Sequence, residues 1–123
     1  MTGRVPHRHG LHRPPMYGEP GGLQGEATLP QILSGAGYVT QAVGKWHIGD
    51  QPETRPPARG FDESSGLMYS NDMWEHHPEA PEYWGRVPLQ FWRNGEVTVE
   101  RVTPEHQAML TTWYTEQIGR AHV

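Results

Sequence analysis

Lysine and histidine stand two residues apart in the run Gly44-Lys45-Trp46-His47-Ile48-Gly49. A fixed cation beside an imidazole can hold an anionic group and move a proton to or from it near neutral pH. In an extended segment residues two apart share a side, so Lys45 and His47 point the same way and Trp46 faces the opposite one. A solvated lysine next to an ordinary interfacial histidine has the same spacing, so the pattern alone leaves both readings open.

The elements that would position this pair lie just before it. Thr28 and Gln31 have capping-box spacing, and Pro30 is tolerated in a first helical turn. Leu29, Ile32, Leu33 and Ala36 fall at i, i+3, i+4 and i+7 and predict one apolar helical face. Gly37 can take the left-handed conformation that ends a helix. Tyr38 to Val43 then reads as a short strand rich in β-branched residues, with Gly44 leaving room for close backbone approach. Ligands of open α/β sheets bind at the carboxyl ends of strands, which is where Lys45 and His47 fall.

Composition bounds the rest. The 123 residues carry a formal charge of −4, so the basic footprint of a nucleic-acid binder is missing. A hydrophobic content of 34% and a mean hydropathy of −0.77 are lean for a self-sufficient domain. The chain has 15 Gly and 12 Pro, which predicts long loops, and no Cys, which excludes a disulfide framework and a thiolate metal site. No apolar run approaches membrane-spanning length, and the first residues do not resemble a signal peptide.

Residues 1–27 read as loop with room for a short helical turn. His7, His9 and His12 invite a metal reading, but Arg4, Arg8 and Arg13 would repel a cation, and a solvated loop fits ligand chemistry better. Arg4 and Arg8 could instead brace a loop at an active site. Residues 50–65 read as a further loop, with Phe61 as its anchor and Arg55, Arg59, Asp62 and Glu63 in surface or bracing pairs. Trp74, Tyr83 and Trp84 fall in a segment whose rings could stack on a sugar or aryl group. His76 and His77 beside Glu75 and Glu79 make a weak metal patch. Asn94-Gly95 between Leu89–Arg93 and Glu96–Val102 predicts a hairpin with a two-residue type I′ turn, with Phe91, Val97 and Val99 on the buried face. Thr103-Pro104 starts a helix whose apolar face is Met109, Leu110, Trp113 and Tyr114.

Gly37-Tyr38-x-Thr40-x-x-x-Gly44-Lys45-Trp46-His47-x-Gly49 resembles a signature of the sulfatase family, the arylsulfatases and related sulfate-ester hydrolases of the alkaline phosphatase superfamily. Three more blocks, in the same order as in the family, resemble its landmarks. They are Met1-Thr2-Gly3-Arg4 with Arg8-His9-Gly10, then Pro57 to Glu63, then Gly66-Leu67-Met68-Tyr69-Ser70-Asn71-Asp72. The resemblance runs from Met1 to about Glu116. It implies that Lys45 contacts the sulfate oxygens, that His47 hydrogen-bonds the catalytic nucleophile, and that Ser70 contacts substrate; a turn-capping serine is the competing reading of Ser70.

The resemblance also implies a mechanism. The family's nucleophile is a formylglycine made from Cys or Ser in a Cys/Ser-x-Pro-x-Arg motif, whose hydrate attacks sulfur to give a covalent sulfoenzyme, and a calcium ion held by Asp and Asn oxygens balances the sulfate charge. This chain has no Cys and no Ser in that motif, and the family's Asp pair and Asp-Asn pair are also missing. The expectation is therefore an internal fragment of the N-terminal catalytic domain, inactive by itself, with the nucleophile upstream and no metal ligands of its own. The expected substrate is a sulfated small molecule or sulfated carbohydrate, and the expected location periplasmic, secreted or lysosomal. A hydrolase of phosphate esters or phosphonates from the same superfamily is the first alternative, and a non-catalytic remnant with a binding or structural role is the second.

The expected fold is α/β: part of a mixed sheet flanked by helices, with one buried strand, one hairpin, two helices and long loops, an incomplete domain. Residues 1–117 are expected to be native. Ile118-Gly119-Arg120-Ala121-His122-Val123 matches the translation of a common sequencing adapter and is expected to be foreign.

Overall fold

The computed structural model describes residues 1–120. Four strands form one mixed sheet in the order β1 (Gln41–Val43), β2 (Glu63–Leu67), β3 (Phe91–Arg93), β4 (Glu96–Val99). β1 runs parallel to β2, and the remaining pairs are antiparallel. The helices are α1 (Pro6–His9), α2 (Leu29–Gly35), α3 (Pro81–Trp84) and α4 (Pro104–Arg120), with two short 3₁₀ turns at Pro52–Thr54 and Pro57–Arg59.

α2 starts as its sequence predicts. The Thr28 amide donates to Gln31 Oε1 at 3.0 Å, and the Thr28 hydroxyl also donates to the Arg59 carbonyl at 2.7 Å. The helix closes in a Schellman arrangement around Gly37, at φ +89°. The Gly37 amide donates to the Ser34 carbonyl at 2.9 Å, and the Tyr38 amide donates to the Leu33 carbonyl at 3.0 Å. That cap consumes Tyr38, so the strand begins only at Gln41 rather than at Tyr38. The helical face is corrected more strongly. Leu29 is 55% exposed and Ile32 62%, and Tyr38 and Val39 beyond the cap lie open too, because no described element packs over this edge of β1.

The central strand is β2, inside a stretch that reads as loop and rim. Glu-Ser-Ser-Gly-Leu lacks the β-branched and aromatic residues that mark strands, yet its last four residues are all buried. Glycine is required at position 66: a Cβ there would lie 1.9 Å from the Gly44 carbonyl oxygen.

The hairpin turns where expected, with Asn94 at φ +49° and Gly95 at φ +83°, both left-handed as a type I′ turn demands. Its strands are shorter than expected, and a bulge separates them: Phe91 faces Val99, but Trp92 faces Val97. The extra residue is Thr98, so Val99 packs against the core while Val97 sits opposite Trp92. α4 is capped by Thr103 and His106: the Thr103 amide donates to His106 Nδ1 at 3.1 Å. Its inward face is Leu110, Trp113, Tyr114 and Gln117, with Trp113 and Tyr114 against Phe91; Met109 turns outward at 43% exposure. α4 continues through Ile118, Gly119 and Arg120 without a break, and Ala121, His122 and Val123 lie outside the described residues.

The buried apolar cluster runs from Leu67, Met68 and Tyr69 through Met73 and Leu89 to Phe91, Val102 and Leu110. Trp113 and Tyr114 of α4 pack against it, and so does Trp46, between Lys45 and His47.

The 50–65 connection is braced mainly by main-chain acceptors rather than by ion pairs. Arg55 Nε donates to the Asp50 carbonyl at 2.8 Å with its guanidinium 4.7 Å over Trp92, and Arg59 donates to the Leu23 carbonyl. Asp62 Oδ2 accepts from the Thr40 amide at 2.8 Å and its hydroxyl at 2.9 Å. Phe61 anchors this connection edge-on against Trp46, with ring centroids 5.8 Å apart.

Candidate active site

Beyond the end of β1 the chain stays hydrogen-bonded to β2 and its extension. The Gly44 amide donates to the Ser65 carbonyl and the Trp46 amide to the Leu67 carbonyl, each at 2.9 Å. This is the alternation of a parallel ladder. At His47 it breaks. His47 adopts φ +53°, and its amide donates to the Met68 carbonyl at 2.7 Å. A histidine in the left-handed region is uncommon and marks a place where the surrounding structure overrides local preference.

Trp46 turns inward as expected, its Nε1 donating to the Thr54 carbonyl at 2.9 Å. Lys45 is exposed, and its Nζ lies 3.4 Å from Ser70 Oγ. His47 is half-buried against Tyr69, with ring centroids 5.4 Å apart and planes at 83°. The fold thus gathers Lys45, His47 and Ser70 at one end of the parallel pair β1–β2. Tyr69 joins them, although sequence reasoning missed it; its place directly before Ser70 in the Gly66–Asp72 block was the available signal.

His47 Nε2 is buried and has no hydrogen-bond partner among the described residues. A buried polar nitrogen without a partner is costly, and its natural completion is a group brought in from outside. Burial lowers the His47 pKa below its ordinary value of 6.5, the Lys45 charge lowers it further, and Asp72 opposes both. The imidazole is therefore neutral at neutral pH and able to accept a proton. Unfolding restores the ordinary value, so the unfolded chain binds the proton first, and this histidine's contribution to stability is lost as pH falls from about 6.5 toward the lowered folded value. Lys45→Met removes one of the lowering charges. Its His47 titration midpoint, followed by NMR of the imidazole carbon-bound protons, is expected to rise toward 6.5; an unchanged or lower midpoint contradicts this electrostatic picture.

The other histidines serve local structure: His7 and His9 lie in α1, His106 caps α4, and His12, His76 and His77 lie in loops. The His7 and His12 rings lie 5.3 Å apart, and His77 Nδ1 accepts from the Glu79 and Ala80 amides to hold a turn. Arg4 pairs with Glu26 at 3.1 Å within the N-terminal segment, away from Lys45 and His47 in the bonds it makes. Trp74 and Trp84 pack against the buried cluster, while Tyr83 is 49% exposed with the Arg86 guanidinium 4.0 Å over its ring. Among the described residues no three His, Cys, Asp or Glu side chains converge to hold a metal ion. These residues therefore do not fit the calcium that the resemblance implies.

Residues 1–118 match the family model described as Sulfatase. The chain belongs to the sulfatase family. Among sulfatases of known name, arylsulfatase G of Rattus norvegicus is 38% identical over 104 residues, covering 76% of this chain and 19% of the relative. N-acetylgalactosamine-6-sulfatase of Mus musculus is 34% identical over 134 residues, covering 95% of this chain and 24% of the relative. The chain therefore spans a quarter or less of the relatives it matches. The crystal structure of Ps i-CgsB superposes with a TM-score of 0.60 at 30% identity, covering 82% of this chain and 25% of that one. The same protein in complex with k-i-k-neocarrahexaose gives a TM-score of 0.61 at 29% identity. The mixed sheet flanked by helices is thus part of the alkaline-phosphatase-like fold, and the family is one of sulfate-ester hydrolases. No helix among the described residues is long and apolar enough to cross a membrane.

Proposed function

We propose that this chain is the part of a sulfatase catalytic domain that supplies the sulfate-binding lysine and the proton-accepting histidine, and that the nucleophile is a formylglycine on a segment upstream. The observation that carries the reading is the buried Nε2 of His47, unpartnered among the described residues and two residues from an exposed lysine. A formylglycine hydrate placed there would supply the hydroxyl that attacks sulfur. Lys45 Nζ would bind a sulfate oxygen and offset the negative charge that grows as the ester bond breaks. Ser70 Oγ, 3.4 Å from Lys45 Nζ, would hold the ammonium or a second sulfate oxygen in place. The alcohol would leave as the sulfoenzyme forms, and His47, which orients the hydrate, would take the proton of its remaining hydroxyl at Nε2 as the aldehyde reforms and sulfate departs, a role suited to an imidazole that is neutral at neutral pH. The substrate of the whole protein would be a sulfated small molecule or a sulfated carbohydrate, and its site of action periplasmic, secreted or lysosomal.

The test is the DNA that flanks the reading frame. A Cys or Ser followed by x-Pro-x-Arg, in frame shortly before Met1, is expected. The polypeptide that includes it should release sulfate from an aryl sulfate, while the purified 123-residue chain with added calcium should not. Genuine start and stop signals bounding these residues, or turnover by the 123 residues alone, would overturn the proposal.

A further inference from the structure

We propose that Tyr69 is a positioning residue for His47: its ring holds the imidazole in the one orientation that aims Nε2 at an incoming nucleophile. The inference rests on the catalytic reading of His47 above, and it concerns what fixes that side chain. Nε2 has no hydrogen-bond partner among the described residues, so no hydrogen bond at that atom orients the ring. Packing has to do it. The packing surface is Tyr69, met edge-to-face at 5.4 Å and 83°, an arrangement that aromatic quadrupoles favour.

Tyr69 is itself held firmly. It is 2% exposed. Its hydroxyl donates to the Met16 carbonyl at 3.1 Å, so that end is occupied away from the imidazole. Its ring leans on Tyr17 at a centroid distance of 4.1 Å, and the Tyr17 hydroxyl is tied to the Met73 carbonyl at 2.9 Å. Burial raises the Tyr69 pKa further above its already high ordinary value, so the ring stays neutral where His47 must accept a proton.

The same short segment also fixes the main chain of the pair. Met68, just before Tyr69, accepts the His47 amide at 2.7 Å and so holds the left-handed turn, and Ser70, just after, meets Lys45 Nζ. Consecutive residues Met68, Tyr69 and Ser70 thus hold the backbone of His47, the ring of His47 and the head of Lys45. Because side chains are held in staggered rotamers by their neighbours, removing the ring should free the imidazole while leaving its backbone in place.

The test measures χ1 of His47 by three-bond couplings in the 123-residue chain, for the wild type, Tyr69→Phe and Tyr69→Leu. The wild type and Tyr69→Phe are expected to show one staggered rotamer, and Tyr69→Leu to show averaging while the amide signals of Val97 and Val99 keep their positions. One rotamer in Tyr69→Leu, averaging in Tyr69→Phe, or averaging already in the wild type would each overturn the proposal. If Tyr69→Leu loses the hairpin signals, Tyr69→Met replaces it with the same expectation. In the longer polypeptide Tyr69→Leu should lower kcat by about tenfold to a hundredfold with KM within about twofold, the cost of a misplaced catalytic group. Tyr69→Phe should restore most of that loss. His47→Asn separates the two ideas. Retained turnover in that variant would sink the catalytic reading, whereas a fixed imidazole in Tyr69→Leu would sink the positioning role alone.

Discussion

Lys45→Ala and His47→Asn are each expected to lower kcat of the longer polypeptide by about 10²- to 10³-fold on an aryl sulfate, with little change in thermal stability. Lys45 is exposed, and its only side-chain bond among the described residues is the 3.4 Å contact to Ser70. Its removal therefore costs the fold almost nothing, and any large effect must come from charge stabilisation at the reacting group. Asparagine is chosen at position 47 because it tolerates the left-handed backbone that His47 occupies at φ +53°. The substitution keeps the turn and the amide bond to Met68 but removes the base. Residues that act as a unit are strongly non-additive, so the double variant should be little worse than the poorer single one. Measuring kcat and KM for the four proteins checks this; either single variant within about threefold of the wild type contradicts the assignment.

Gly66→Ala should destabilise the chain by at least about 3 kcal/mol, enough to abolish a cooperative transition in a domain of ordinary marginal stability. A Cβ built at Gly66 lies 1.9 Å from the Gly44 oxygen and 2.6 Å from its carbon, both main-chain atoms that no side-chain rotation can move aside. β1 and β2 would have to separate, and the ladder that carries Gly44, Trp46 and His47 would go with them. Gly35→Ala is the matched control. It ends α2, meets no atom within 4 Å and needs no positive φ, so alanine there should be neutral or stabilise by up to about 1 kcal/mol. Chemical denaturation of both variants decides the matter. A Gly66→Ala chain as stable as the Gly35→Ala chain would mean that the close approach of the two strands is not what holds this site.

Much of the candidate site was legible in the residues. Gly44-Lys45-Trp46-His47 placed a cation and an imidazole where a strand ends, and Trp46 does turn inward. The Thr28–Gln31 cap, the Gly37 stop, the Asn94-Gly95 turn and the Thr103-Pro104 helix start were legible for the same reason: each is a contact within a few residues, decided by local backbone geometry and short-range hydrogen bonds. Four motif blocks in order also carried the family, because their spacing along the chain needs no fold to be read.

What failed to show in the sequence depends on partners far along the chain. Glu63–Leu67 has no strand signature, because the glycine that lets β2 press against Gly44 is disfavoured in strands in general. The periodic face of α2 promised burial, but burial requires a covering surface, and no described element covers Leu29 or Ile32. The bulge at Thr98 split Val97 from Val99, since register is settled by the facing strand rather than by alternation along one. The left-handed turn of His47 and the ring of Tyr69 behind it arise from the same cause. By itself the sequence determined which residues could carry the chemistry and where the local turns and caps fall. Only the tertiary structure decided the setting of His47, because its amide bonds to the Met68 carbonyl and its ring meets Tyr69, both across more than twenty residues.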